Sequence, residues 1–221
     1  MSDMLEKVTG PHRGQSVLVA GEPIEQAQAA MIMMHGRGAS AEDILGVAES
    51  FRRPGFVYLA PQAAGYTWYP NSFLAPIASN EPWLSSALMV IASLLEQLEG
   101  YNIPAERTII LGFSQGACLL LESVARHARR YGGVAGLSGG LIGPEGTPRD
   151  YAGSLDGTPV FLGCSDVDPH IPKARVLESA EVLRRLGGVV TARLYPGMGH
   201  MINLDEMRSV QGMMAALVES K

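Results

Sequence analysis

Ser114 stands at the centre of Gly112-Phe113-Ser114-Gln115-Gly116. A serine hydroxyl is a poor nucleophile until a base takes its proton, and the base needs a partner that fixes its tautomer. The spacing of the two glycines has a physical reason. A serine held at the apex of a strained strand-to-helix turn tolerates no bulk two residues away on either side. Such a turn presents the hydroxyl to solvent and aims a helix N-terminus at the place where an oxyanion would form. The chemistry to which it points is acyl transfer through a covalent serine intermediate.

With 26 glycines in 221 residues the pattern also arises by chance, and a second match occurs at Gly136-Leu137-Ser138-Gly139-Gly140. Context separates the two. Ser114 is preceded by Thr108-Ile109-Ile110-Leu111 and followed by Ala117-Cys118-Leu119-Leu120-Leu121-Glu122, a strand and then a helix. Ser138 also follows an apolar stretch, but Leu141-Ile142-Gly143-Pro144-Glu145-Gly146 comes next and cannot open a helix. Ser138 therefore reads as a turn serine at a strand end, and Ser114 as the nucleophile.

Two histidines lie C-terminal to Ser114 and outside its helix, His170 and His200. His200 closes the glycine-rich turn Tyr195-Pro196-Gly197-Met198-Gly199-His200, between the last strand and the last helix, which is where a base belongs. The acid must come from Ser165-Asp166-Val167-Asp168-Pro169-His170-Ile171-Pro172, which offers Asp166 and Asp168. Asp168 is preferred because the proline after it makes a rigid turn; Asp166 is the alternative, lying nearer the strand end. His170 is then expected to be solvated or to stand behind the reacting groups. An oxyanion hole needs two backbone N–H groups. One is expected from Gln115, the other from Arg37 in the loop His35-Gly36-Arg37-Gly38-Ala39-Ser40, whose glycines let the backbone approach a ligand. His35 is expected to bond within its turn.

Short apolar runs alternate with longer amphipathic segments along the chain. Strands are predicted near 16–20, 30–34, 56–60, 108–111, 133–137, 160–163 and 189–195, and helices near 41–53, 82–99, 114–131, 172–186 and 204–219. That alternation predicts an α/β protein, a single domain over 1–221 whose mostly parallel central sheet of about seven strands carries helices on both faces. The segment 61–81 has no clear element of its own yet carries several aromatic residues. A long irregular loop in a compact domain is usually functional, so Trp68, Tyr69 and Phe73 are candidate walls of a substrate pocket.

Four segments, taken together and in order, resemble the phospholipase/carboxylesterase family of small α/β-hydrolases, which includes acyl-protein thioesterases and bacterial carboxylesterases. They are Met34-His35-Gly36-Arg37-Gly38, the Ser114 pentapeptide, Asp168-Pro169-His170-Ile171-Pro172 and Gly197-Met198-Gly199-His200. The resemblance spans nearly the whole chain. It implies an α/β-hydrolase fold, a nucleophile at Ser114, an acid at Asp168, a base at His200, and hydrolysis of carboxylic esters or thioesters. The family commonly has leucine where this chain has Arg37. A cation fixed beside the oxyanion hole would favour an acidic acyl or leaving group; a solvated arginine would contribute only its N–H.

The remaining composition narrows the partners. The formal net charge is −5, which argues against nucleic acid or an anionic membrane as partner. No apolar run reaches membrane-spanning length, and the opening residues do not read as a signal peptide. Cys118 and Cys164 have no metal or redox spacing and read as free thiols of a cytoplasmic protein. The expected partner is a small-molecule ester or thioester, with a homodimer possible and no cofactor or metal required. Two alternatives stand beside this reading: a catalytically weak binding module on the same fold, and a dienelactone-hydrolase-like enzyme, although that class uses a cysteine nucleophile.

Overall fold

The computed structural model describes residues 2–219. Seven strands form one sheet: β1 (Val17–Gly21), β2 (Ala29–Met34), β3 (Phe56–Pro61), β4 (Thr108–Phe113), β5 (Gly133–Leu137), β6 (Pro159–Ser165) and β7 (Val189–Tyr195). Their order across the sheet is β1-β3-β2-β4-β5-β6-β7. Only β1 runs antiparallel, against β3; every other pairing is parallel. Parallel neighbours need long crossovers, and most carry a helix, α1 (Ala41–Ala48), α2 (Trp83–Gly100), α3 (Gln115–Arg126) or α4 (Lys173–Arg185), while the β5–β6 connection has none; α5 (Leu204–Glu219) follows β7. The fold is that of a single-domain α/β hydrolase.

The two faces are legible in β2, which is buried along its whole length. Ala30, Ile32 and Met34 pack into the core shared with α2, α3 and α4, while Ala29, Met31 and Met33 pack into the core beneath α1 and α5. Interior parallel strands covered on both sides are apolar at every position for this reason.

Strand order places the site. From β2 the chain winds one way to β3 and then returns to the other side as β4, so the connections leaving β2 and β4 diverge. Ligand crevices of open α/β sheets form outside the carboxyl ends of strands at such a switch point. The loop holding Arg37 leaves β2 there, and Ser114 leaves β4 beside it.

Two elements differ from the sequence expectation. The helix after β4 ends at Arg126 instead of continuing to 131. Ala128 instead bridges Gly153, and the backbone N–H of Tyr131 donates to Thr158 Oγ1 at 2.9 Å, so tertiary pairing stops the helix. The first helix ends at Ala48 and tightens into a 3-10 turn, Glu49–Phe51, that buries Phe51. The segment after β3 is more ordered than its sequence suggests, with 3-10 turns at Ala64–Tyr66 and Ile77–Asn80.

Candidate active site

Ser114 sits between β4 and α3 with φ 53° and ψ −119°, a conformation that side-chain-bearing residues rarely adopt. Its N–H is held by the carbonyl of Leu137 at 2.9 Å. The flanking glycines are required by contact, not by their own backbone conformation. A Cβ on Gly116 would lie 2.2 Å from the carbonyl oxygen of Met34, and one on Gly112 would lie 2.7 Å from the backbone of Gly116. The helix therefore leaves the strand pressed against the end of β2.

His200 reaches Ser114 from the loop between β7 and α5. Its Nε2 lies 2.9 Å from Ser114 Oγ, and its Nδ1 lies 2.7 Å from Asp168 Oδ2. Asp168 is shut off from solvent and its second oxygen accepts the backbone N–H groups of His170 at 2.8 Å and Ile171 at 3.0 Å. Burial opposes ionisation of this carboxyl, but the His200 contact and the two backbone donors outweigh it and hold the group below its ordinary value. The carboxylate is thus charged, and the imidazole is oriented with Nδ1 as the donor and Nε2 free to accept from serine. The ring of Phe113 packs on His200 at 4.9 Å, and that of His170 stands edge-on to it at 4.8 Å.

Asp166 has a different job. Its Oδ1 accepts the N–H of Gly197 at 2.9 Å and so holds the turn that carries His200. Ser138 shares the positive φ of Ser114, at 51°, but is fully buried. The second pattern match is a strand-end turn in which the Ser138 N–H donates to the carbonyl of Gly163 at 2.7 Å.

The loop after β2 passes close to the serine, since a Cβ on Gly36 would lie 3.4 Å from Ser114 Cβ. Within it, the N–H of Gly38 bonds to Tyr66 and that of Ala39 to Gly36, whereas no acceptor among the described residues takes the N–H of Arg37. The N–H of Gln115 belongs to the first turn of α3, where backbone donors have no partner in the helix. Both expected oxyanion donors are available.

Their side chains do something the sequence reading did not foresee. Gln115 Oε1 accepts the N–H of Trp68 at 2.9 Å, and its Nε2 donates to the carbonyl of Tyr69 at 2.8 Å. The Arg37 guanidinium donates to the carbonyls of Tyr69 at 2.8 Å, Pro70 at 2.9 Å and Asn71 at 2.8 Å. These two residues clamp the loop that follows β3. The only sequence signal was that both flank glycines in turns facing an otherwise unanchored aromatic segment.

A cavity of about 440 Å³ opens onto Ser114 and His200 and is lined by Arg37, Tyr69, Phe73 and His170 among others. That volume suits a small organic ligand. Tyr69 and Phe73 border this cavity. Trp68 does not: it is fully buried, its indole N–H donates to the His35 carbonyl at 2.9 Å, and its ring packs against His12 and His35. Tyr69 is buried as deeply, at 1% exposure, and belongs to the same core, so it borders the cavity from within that core.

The other histidines are structural. His35 accepts the N–H of Ala63 at Nε2, 3.1 Å away, while its Nδ1 lies 2.8 Å from the Gly36 carbonyl. His12 accepts the N–H of Ala64 at Nδ1 and contacts the Trp68 carbonyl through Nε2 at 3.0 Å. Burial pushes both below the ordinary histidine value, which keeps them neutral. His12 escaped the sequence reading because nothing local links it to a loop more than fifty residues away. Among the described residues no cluster of His, Cys, Asp or Glu is arranged to hold a metal ion, and no helix is long and apolar enough to cross a membrane.

Residues 16–218 match the family model described as Phospholipase/Carboxylesterase. Acyl-protein thioesterase 1 of Debaryomyces hansenii is 27% identical over 205 residues, covering 82% of this chain and 88% of that protein. The crystal structure of a phospholipase/carboxylesterase from Dyadobacter fermentans aligns with a TM-score of 0.88 and 39% identity, over 94% of this chain and 99% of that one. Esterase PE8, at 22% identity and a TM-score of 0.76, covers 92% of this chain and 99% of its own and bears on the fold alone.

Proposed function

The chain belongs to the phospholipase/carboxylesterase family, and we propose that within it Ser114, His200 and Asp168 form the hydrolytic triad. The protein is a serine hydrolase acting on esters or thioesters; what is proposed is which residues do the work and how. The observation that carries the proposal is the unbroken contact chain Ser114 Oγ–His200 Nε2–His200 Nδ1–Asp168, at 2.9 and 2.7 Å.

His200 Nε2 takes the proton of Ser114 as the serine oxygen bonds to the substrate carbonyl carbon. The carbonyl oxygen gains the electron pair and is held by the N–H groups of Arg37 and Gln115. Collapse of this intermediate expels the alcohol or thiol, which receives the proton from His200 and leaves an acyl-serine. Water then attacks the acyl group, gives its proton to His200, and the acid departs as Ser114 recovers its hydrogen. Throughout, Asp168 keeps the imidazole oriented and stabilises its charged form. Oxyanion donors aimed in advance cost no reorganisation at the moment of reaction.

A cysteine nucleophile has no support here. Burial pushes the thiols of Cys118 and Cys164 up to about 12, so neither supplies thiolate near neutrality. Both are free and buried, which favours a reducing, cytoplasmic setting.

The test is labelling with a fluorophosphonate probe followed by peptide mass analysis. The expected result is one adduct on Ser114, lost together with turnover of 4-nitrophenyl butanoate in Ser114→Ala, whose kcat falls by a factor on the order of 10³ or more. An unlabelled Ser114, or a variant that keeps most of its activity, would refute the assignment and favour a binding module.

A further inference from the structure

We infer that this site selects esters or thioesters bearing a negative charge on the acyl or leaving group, with Arg37 as the residue that recognises it. The inference rests on Ser114 being the nucleophile of this cavity.

The first ground is charge balance. The chain carries a formal net charge of −5, yet no Asp or Glu lines the cavity at Ser114. Arg37 is the fixed charge of its wall, and the N-terminus of α3 adds partial positive charge on the same side. Asp168 stands behind His200 and is not part of the lining.

The second ground is what holds Arg37. Several other arginines pair with carboxylates, Arg126 with Glu122, Arg175 with Glu178 and Arg193 with Asp205, while Arg107 and Arg130 also hold backbone carbonyls but lie outside the cavity. Arg37 has three backbone carbonyls and no carboxylate. Carbonyl dipoles fix the guanidinium in place but do not cancel its charge. A cation pinned by consecutive carbonyls has already lost its rotamer freedom, so pairing with a ligand anion carries little further ordering cost. Three of its five N–H groups are taken by these carbonyls, and the Nε and second Nη1 hydrogens have no acceptor among the described residues, which leaves them for a ligand anion.

A clamp without recognition is the competing account, in which Arg37 only ties the pocket wall to the loop after β2. The two accounts separate in kinetics. Clamping affects every substrate alike, whereas recognition alters the ratio of anionic to neutral substrates.

The experiment compares kcat/KM for two matched pairs in wild type, Arg37→Gln and Arg37→Lys. Mono-4-nitrophenyl adipate against 4-nitrophenyl hexanoate places the charge on the acyl side. 4-(Butanoyloxy)benzoate against its methyl ester places it on the leaving group. In at least one pair, the anionic-to-neutral ratio is expected to fall about tenfold in Arg37→Gln and to survive in Arg37→Lys, as a charge interaction across a partly solvated cleft should behave. Raising NaCl from about 20 to about 500 mM should lower that ratio in wild type, and this arm stands even if a variant fails to fold. Equal losses on charged and neutral partners in both variants, or a wild-type ratio indifferent to salt in both pairs, would overturn the inference. Wild-type protein that labels at Ser114 but shows such indifference loses only this inference; protein that does not label loses the proposed triad itself.

Discussion

The guanidinium of Arg37 and the carboxamide of Gln115 meet on one atom, the carbonyl oxygen of Tyr69, each at 2.8 Å. Thr67 Oγ1 adds a third donor to the same oxygen at 2.9 Å. The two residues whose backbones are proposed to hold the oxyanion are therefore tied, through their side chains, to the wall of the substrate cavity. A shift of the wall is a shift of the hole.

Replacing Gln115 with Ala keeps the backbone N–H but strips the acceptor from the buried N–H of Trp68. An unsatisfied buried donor costs about 1–3 kcal/mol, so thermal melts should show a clear loss of Tm. Because the wall is tied to the hole, kcat should also fall, by roughly tenfold for a displaced oxyanion donor. A variant with wild-type kcat and a lowered Tm would show that the tie is structural only.

The two aspartates should part company. Asp168→Asn leaves the geometry but removes the charge that orients His200, and kcat should drop by a factor on the order of 10³–10⁴. Asp166→Asn weakens a single contact to Gly197 and should cost less than about tenfold in kcat. Steady-state kinetics of the pair decides it, and comparable losses would contradict the assignment of Asp168.

Glycine position should matter more than glycine number. In Gly116→Ala the new methyl meets backbone oxygens of Met34 and His35, neither of which can move without opening the end of β2. We expect loss of more than about 3 kcal/mol, or failure to fold. Gly212→Ala, in α5 with open space around the new Cβ, should instead gain about 0.5–1 kcal/mol. Urea denaturation of both variants gives the comparison.

Glu206, buried at the start of α5, accepts the N–H of Asn203 at 2.8 Å but leaves its other oxygen without a partner. Burial raises its carboxyl from the ordinary 4.5 to about 7. Between these values the native state keeps a proton that the unfolded chain has released. Stability from this group is therefore highest below pH 4.5, declines as the pH rises, and reaches its floor above about pH 7. Tm measured from pH 5 to 8 should fall less steeply in Glu206→Gln than in wild type; identical slopes would contradict the raised value.

Much of this protein is legible in its sequence because much of it is locally encoded. The strand, turn and helix around Ser114 follow from an apolar β-branched run, two glycines and an apolar helix. The alternation of such units dictates a parallel sheet, and His200 is identified by its turn between the last strand and the last helix. The ends of elements are less legible: α3 stops at Arg126 because Ala128 finds Gly153, a partner that no local pattern announces.

The sequence by itself determined a serine at a strained turn, an ordered base behind it, two candidate acids and two backbone donors. Tertiary structure alone decided that Asp168 faces His200 while Asp166 holds Gly197, that Trp68 and Tyr69 are both buried while only Tyr69 borders the cavity, and that Arg37 and Gln115 grip a loop some thirty or more residues away from each. The physical reason is directional. Spacing along the chain fixes which groups can reach a site, but the direction of a side chain is set by what packs against it, and those neighbours come from elsewhere in the sequence.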